Sequence, residues 1–176
     1  MPSILKEKIV RRHLTVIALA GLPLVAPHTA SAQSETPQLA VGAHAPGAAV
    51  KTLSGTPVDL SHYIGKTPVV IEFWAKWCPN CRALEPKMTE ARHTYGARVS
   101  FVTIAASVDE TPAQVRAYAK AHGLIPDVLY DETGAAVDAY GAPGTSYVVV
   151  IDRKGSIVYT GAGGDQDLIA AIKPAL

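Results

Sequence analysis

Cysteine is scarce in this chain of 176 residues, which contains Cys78, Cys81 and no third cysteine. Two cysteines cannot form the framework of several disulfides that holds small secreted domains together. The sequence also shows no internal repeat and no long low-complexity tract. We therefore expect an ordinary domain with a hydrophobic core, and the two sulfurs remain available for chemistry.

The N-terminal apolar stretch is too short to cross a membrane. It covers residues 14–26, is interrupted by Pro23, and falls short of the ~20 residues that span the hydrocarbon core. A basic segment precedes it and Ala30-Ser31-Ala32 follows it, a pattern typical of a signal peptide cleaved before Gln33. We predict a signal peptide over residues 1–32, with an uncleaved leader anchored to the inner membrane as the alternative.

Positive charge is also scarce once this leader is set aside. The chain has 16 Lys and Arg against 15 Asp and Glu. The leader contains four of the basic residues and one of the acidic residues, so the rest of the chain has 12 Lys and Arg against 14 Asp and Glu. No basic stripe is left for nucleic acid or a membrane surface. We expect no nucleic-acid partner and no membrane insertion after cleavage, and we place the protein in the periplasm, where disulfides persist.

The remaining residues alternate between strand and helix patterns. Residues 33–44 are predicted to be a flexible lead-in, and residues 45–176 one α/β domain. Strands are predicted at 50–53, 58–60, 69–74, 99–105, 127–130, 147–151 and 157–160. Helices are predicted at 79–95, from the N-cap Thr111 to Gly123, at 135–140, and from a cap at or near Asp165 to about 173.

The pentapeptide Trp77-Cys78-Pro79-Asn80-Cys81 carries the functional signal. It follows the apolar strand 69–74 and begins a helix, the position at which a CxxC pair indicates a thioredoxin-like redox motif. A zinc site would need two further ligands, and none is suitably spaced.

The segment from Gly65 to Cys81 resembles the TlpA/ResA-like branch of the thioredoxin superfamily. Pro86, residues 112–130 and the hairpin around residues 152–155 are similar to features of that family. The resemblance implies a thioredoxin-like fold with a mixed central sheet flanked by helices, an N-terminal hairpin and a helix–strand insertion. It also implies a thiol:disulfide oxidoreductase that reduces exported protein substrates and receives electrons from a membrane thiol donor.

Cys78 is expected to be the nucleophile, because the start of a helix favours a thiolate. Cys81, one turn further on and less exposed, is expected to resolve the mixed disulfide. Pro79 and Asn80 support this loop, Pro79 by making the first turn rigid. The redox-active disulfide itself is the only redox group we expect, with no cofactor and no metal.

Glu72 is the second informative residue. It lies in an otherwise apolar strand, six positions before Cys78, where thioredoxins carry a buried acid. Burial would raise its pKa toward neutrality, so that it can take the proton of Cys81. An edge-strand glutamate in water is the alternative. Trp74 and Trp77 flank the motif, the first suited to core packing and the second to contact with a partner peptide.

The loop before the penultimate strand departs from the family pattern. Family members place a cis-proline there to guide the substrate backbone. Here either Pro143 is that proline, shifted by three residues, or Thr145 and Ser146 occupy its place. We favour Pro143, since only proline makes a cis peptide cheap.

Two other functions remain open at this stage. Cys78 and Cys81 are soft ligands, so a copper-binding module or metallochaperone is one alternative. A disulfide oxidant is the other, because the dipeptide Pro79-Asn80 does not fix the direction of electron flow.

Overall fold

The computed structural model describes residues 38–124 and 128–176. The predicted signal peptide, residues 33–37 of the lead-in, and Asp127 lie outside the described residues. Seven strands are present: β1 (Ala49–Thr52), β2 (Pro57–Asp59), β3 (Val69–Trp74), β4 (Ser100–Ala105), β5 (Val128–Tyr130), β6 (Tyr147–Ile151) and β7 (Ile157–Ala162). Four α-helices are present: α1 (Pro79–Tyr95), α2 (Pro112–Ala121), α3 (Ala135–Ala139) and α4 (Leu168–Ile172).

The strands form one mixed sheet in the order β2-β1-β5-β4-β3-β6-β7. β3, β4 and β5 run parallel, whereas β1, β6 and β7 pair antiparallel with their neighbours. β3 is central and every one of its residues is buried, as expected for a strand covered on both faces. The predicted fold, including the N-terminal hairpin of β1 and β2, is confirmed.

The two faces of the sheet pack against different elements. Ile71 and Phe73 of β3 point to the face that carries α3, where Tyr140 and Tyr147 fill the core. Val70 points to the opposite face and packs against Leu84, Met88 and Ala91 of α1. Trp74 lies on that second face too, in a cluster with both cysteines and α2. The motif is therefore built on the face covered by α1, α2 and α4.

Local signals account for the helix boundaries. Thr111 caps α2 through a reciprocal capping box with Gln114, which satisfies two backbone donors at the helix start. Gly123, with φ of 61°, follows the C-terminal end of that helix. α1 continues through Pro86 to Tyr95.

The last helix is capped by Asp167, a near neighbour of Asp165 as predicted, because the Asp167 carboxylate accepts the Ala170 N–H at 2.9 Å. β7 and the lead-in differ from their predicted limits. β7 extends two residues beyond Thr160. The lead-in is not free up to residue 44: the Gly42 N–H donates to the Ile157 carbonyl at 2.8 Å, and His44 bridges to Ser156. These backbone bonds fix the chain at β7 before the domain start predicted at Ala45.

Candidate active site

The two cysteines form a disulfide at the N-terminus of α1, with their Cα atoms 5.3 Å apart. Cys78 is the N-cap residue of the helix, and Pro79 occupies the first turn. The Cys78 Sγ accepts the N–H of Cys81 at 3.0 Å. In the reduced protein this donor and the positive end of the helix dipole favour negative charge on the Cys78 sulfur. The site thus provides the setting that a reactive thiolate needs.

The expected difference in exposure between the cysteines is wrong for this oxidised state. Both residues are 3% exposed. They pack in one cluster with Trp74 and Ala75, and the bond between their sulfurs holds them at the same depth. Pro79 and Asn80, which lie between the two cysteines in the chain, are exposed.

The two tryptophans have different environments. Trp74 is 2% exposed and belongs to the core. Trp77 is 46% exposed, and its indole N–H donates to the Val108 carbonyl at 2.8 Å. Val108 is 53% exposed. Trp77 directly precedes Cys78 in the chain, so an exposed apolar side chain lies beside the motif. The hydrogen bond to the Val108 carbonyl fixes the orientation of the indole and brings exposed Val108 close to it.

Glu110 is a residue that the sequence did not identify as part of the site. An acidic pair such as Asp109-Glu110, just before a helix N-cap, usually does no more than complement the helix dipole. Glu110 is instead 6% exposed, and its Oε2 accepts the Lys76 N–H at 3.0 Å. Burial raises the pKa of this carboxyl group, although the Lys76 N–H opposes the rise. Glu110 thereby ties the loop after β4 to the backbone just before the motif.

Glu72 is buried, as the sequence predicted. It is 7% exposed and lies in β3 opposite Thr103 of β4 and Val148 of β6. Burial raises the pKa of Glu72 from 4.5 to about 7; Arg92 opposes the rise and Glu85 adds to it. The alternative interpretation, in which Glu72 lies on an edge strand and points into water, is therefore wrong, because β3 is a central strand. A carboxyl group that titrates near neutral pH is suited to proton transfer.

A second carboxylate, that of Glu85, lies on the same side of the sheet. Its Oε1 accepts the Tyr118 hydroxyl at 2.9 Å, and its Oε2 is 3.3 Å from Nδ1 of His122. The rings of Tyr118 and His122 stack with centroids 3.8 Å apart. No motif in the sequence singles out Glu85, Tyr118 or His122. The signal that could have identified Glu85 is its spacing of four residues from Cys81, which places both residues on one face of α1.

The loop before β6 settles the proline question. Within residues 38–124 and 128–176 no peptide bond is cis, so the favoured alternative, a cis bond at Pro143, is wrong. Pro143 is exposed and Thr145 is partly buried. Ser146 immediately precedes Tyr147, the partner of Phe73 in the β3–β6 register. Ser146 therefore stands at the end of the sheet where β3 leads into the motif.

Ser146 is held in an unusual conformation. Its φ is 62° and it is 1% exposed. Its Oγ accepts the Gly163 N–H at 3.0 Å, and its carbonyl accepts Nε2 of Gln166 at 3.0 Å. These bonds offset the cost of the left-handed backbone and link the loop before β6 to the loop after β7. Gln166 carried no signal in the sequence.

The glycine-rich loop after β7 packs against the start of α1. A Cβ atom at Gly164 would lie 2.7 Å from the Ala83 Cβ and 3.1 Å from the Asn80 carbonyl oxygen. Only glycine permits this approach without displacement. No local sequence pattern indicates that this loop lies beside the cysteines.

In the described part of the chain, no group of three or more His, Cys, Asp or Glu side chains is arranged to hold a metal ion. Among the same residues, no helix is both long and apolar enough to span a membrane.

The two cysteines form a disulfide at the N-terminus of a helix, and the helix packs on a mixed sheet of this topology. These features define a thiol–disulfide oxidoreductase with the thioredoxin fold. The chain belongs to the Redoxin family, whose model matches residues 40–172.

Individual relatives agree with this assignment. The thioredoxin-like protein YneN of Bacillus subtilis is 33% identical over 117 residues, which cover 66% of this chain and 68% of YneN. The thiol-disulfide oxidoreductase ResA of Bacillus cereus is 29% identical over 125 residues, 71% of each chain.

Solved structures show the same similarity. A thioredoxin-family thiol:disulfide interchange protein from Chlorobium tepidum superimposes with a TM-score of 0.62 and 29% identity, covering 78% of this chain and 98% of that one. A secreted disulfide oxidoreductase of Mycobacterium tuberculosis, homologous to DsbE of E. coli, gives a TM-score of 0.59 and 27% identity. That match covers 73% of this chain and 95% of the other.

Proposed function

We propose that the protein is exported to the periplasm, where it reduces disulfides of exported client proteins through a dithiol–disulfide cycle of Cys78 and Cys81. The observation that carries this proposal is the hydrogen bond from the Cys81 N–H to the Cys78 Sγ at the start of α1. The signal-peptide pattern of residues 1–32 supports export, and the relatives named thiol-disulfide oxidoreductase and thiol:disulfide interchange protein support the chemistry.

The first step is attack by the Cys78 thiolate on one sulfur of a client disulfide. A new bond forms between Cys78 and that sulfur, the client disulfide breaks, and the second client sulfur leaves as a thiolate that takes a proton. The exposed surface of Trp77 and Val108 offers an apolar contact for the client segment beside the bond. Pro143 and Thr145, in the loop at the same end of the sheet, supply backbone for docking, and Ser146 holds that loop in place through its bonds to Gly163 and Gln166.

The second step resolves the mixed disulfide. Cys81 gives its proton to the Glu72 carboxylate, and the resulting thiolate attacks the Cys78 sulfur. The bond between Cys78 and the client breaks, and the client leaves as a second thiolate, which takes up a proton. Two electrons pass from the protein to the client, and the protein is left with the Cys78–Cys81 disulfide.

A return to the dithiol requires a reductant. A membrane thiol electron donor with two thiols would supply two electrons and two protons by the same exchange in reverse. One donor thiolate attacks Cys78 and releases Cys81 as a thiolate that takes a proton. The second donor thiolate then attacks the sulfur of the first, Cys78 leaves as a thiolate, and the donor is left as a disulfide. We expect attack at Cys78 because the reverse exchange passes through the same Cys78 mixed disulfide.

A trapping experiment tests the order of the two cysteines. Cys81→Ser should accumulate a mixed disulfide with an unfolded, disulfide-containing client, visible on a non-reducing gel and reversed by dithiothreitol. Cys78→Ser should trap at least tenfold less, since its remaining thiol lacks the helix-capping position. Equal trapping by both variants would contradict the assignment of Cys78 as nucleophile.

The reduction potential tests the direction of electron flow. Equilibration of the Cys78–Cys81 pair with glutathione should give a potential near ~ −270 mV, as in thioredoxin. A value near ~ −120 mV would instead indicate a disulfide oxidant and overturn the reductase proposal.

A further inference from the structure

One face of α1 carries both the resolving cysteine and two charged residues. Cys81, Glu85 and Arg92 are separated by four and seven residues, the spacing of neighbours along a helix face. The strand beneath that face is β3, where Glu72 lies between Val70 and Trp74 on the side that packs against α1 and the cysteines. Trp74, two residues after Glu72, packs against Tyr118, the partner of Glu85. Val70, two residues before Glu72, pairs with Phe101, whose ring lies under Arg92. The two charged residues are therefore positioned toward opposite ends of the strand segment that carries Glu72.

The Glu85 carboxylate is held at both oxygens. Tyr118 donates to Oε1 at 2.9 Å, and Nδ1 of His122 lies 3.3 Å from Oε2. The ring of Tyr118 packs against Trp74 with centroids 5.5 Å apart and stacks on His122. The Glu85 side chain is 25% exposed, and its bonds place it at the junction of α1 and α2.

Arg92 is held as well. Its guanidinium lies over the ring of Phe101 at 5.4 Å, and its Nε is buried without a hydrogen-bond partner among the described residues. It is more than 4 Å from the Glu72 carboxylate, since no ion pair forms between them, yet it still lowers the pKa of Glu72. An arginine fixed by packing gives a steady opposing field.

The other surroundings of Glu72 add little charge. Thr103 of β4 and Val148 of β6, its partners in the sheet, are uncharged. From α2, Tyr118 faces it, and burial together with the bond to Glu85 raises the pKa of Tyr118 to about 12. Tyr118 thus stays a neutral donor throughout the working range. Arg82 acts on Tyr118 rather than on Glu72.

We propose that Glu85 is a positioning residue whose carboxylate, fixed by Tyr118 and His122, sets the protonation state of Glu72 in opposition to Arg92. The negative charge of Glu85 favours the protonated form of Glu72, and the positive charge of Arg92 favours the ionised form. The balance of these two charges decides at which pH Glu72 is ready to accept the proton of Cys81. That consequence for turnover rests on the proposed role of Glu72.

The test is a pair of variants with opposite expected shifts. Glu85→Gln keeps the acceptor for Tyr118 and removes the charge, so the pH midpoint of Glu72 ionisation should fall by roughly half a pH unit or more. Arg92→Gln should raise the same midpoint, and Arg92→Lys should restore it toward the wild-type value. Glu90→Gln makes the same charge change at an exposed position of α1 and should leave the midpoint in place.

Two readouts separate this inference from the proposed function. The carboxyl band of Glu72 in infrared difference spectra against Glu72→Gln reports its ionisation directly, in the oxidised protein. The rate of mixed-disulfide resolution against pH, in stopped flow, reports the use of Glu72 in the reaction. A loss of packing alone would lower the rate without moving either midpoint.

The outcomes are distinguishable. Opposite shifts of the infrared midpoint in Glu85→Gln and Arg92→Gln support the inference. They do so even if the rate of resolution is independent of Glu72, because that result contradicts only the proton-transfer role. If Glu72→Gln slows resolution but neither charge variant moves the infrared midpoint, the inference is overturned and the proton-transfer role stands. Shifts of equal size in Glu90→Gln would also overturn it.

Discussion

Replacement of Glu72 by glutamine should change how the stability of the oxidised protein depends on pH. The unfolded chain ionises this carboxyl above its ordinary pKa of 4.5, whereas the native protein keeps it protonated up to about 7. Between these values the native state binds more protons than the unfolded state, so the free energy of unfolding falls as the pH rises. Glu72→Gln resembles the protonated form at every pH and should lack this fall.

The expected size follows from the difference between the two pKa values. Each unit of difference corresponds to ~1.4 kcal/mol. A rise from 4.5 to about 7 therefore makes ionisation of native Glu72 cost about 3 kcal/mol of stability at pH 8. Relative to wild type, the unfolding free energy of Glu72→Gln should increase by about 3 kcal/mol between pH 4 and pH 8.

Urea unfolding of the oxidised protein, followed by tryptophan fluorescence at intervals of half a pH unit, measures this difference. Glu90→Gln, exposed on α1, serves as the control and should track the wild type. A difference between Glu72→Gln and wild type that stays constant across this range would refute the reasoning. It would mean that Glu72 ionises in the native protein as readily as in the unfolded chain.

Two further substitutions test how the loops around the motif are held. Glu110→Ala removes the acceptor of the Lys76 N–H and should lower the free energy of unfolding, measured in urea, by about 1–3 kcal/mol. A decrease no larger than that of exposed Glu90→Ala would contradict the importance of this bond. Ser146→Pro forces φ near −65° onto a residue whose φ is 62°, so thermal unfolding should show a loss of more than about 1 kcal/mol; an equally stable proline variant would show that this loop readily adopts another conformation.

Short-range features of the sequence predicted most of the fold. The strand limits of β3 and β6 and the full length of α1 were correct because apolar runs and helical spacing act within one element. The start of α2 was correct because Thr111 and Pro112 are a local cap signal. The cap of the last helix was predicted only as Asp165 or a near neighbour, because Asp165 and Asp167 carry the same local signal; the structure has Asp167 as the cap.

The features of the candidate site also fall into two groups, those that a local sequence pattern predicts and those that depend on tertiary contacts. The sequence determined the CxxC pair, its place between strand and helix, and the buried acid in β3, since each is a property of adjacent residues. Tertiary structure alone decided that Glu85 of α1 meets Tyr118 and His122 of α2, that Glu110 reaches the backbone before the motif, and that Ser146 rather than Pro143 ends the loop at β6. These contacts join residues about 30 or more positions apart or depend on backbone angles, and no local pattern encodes either.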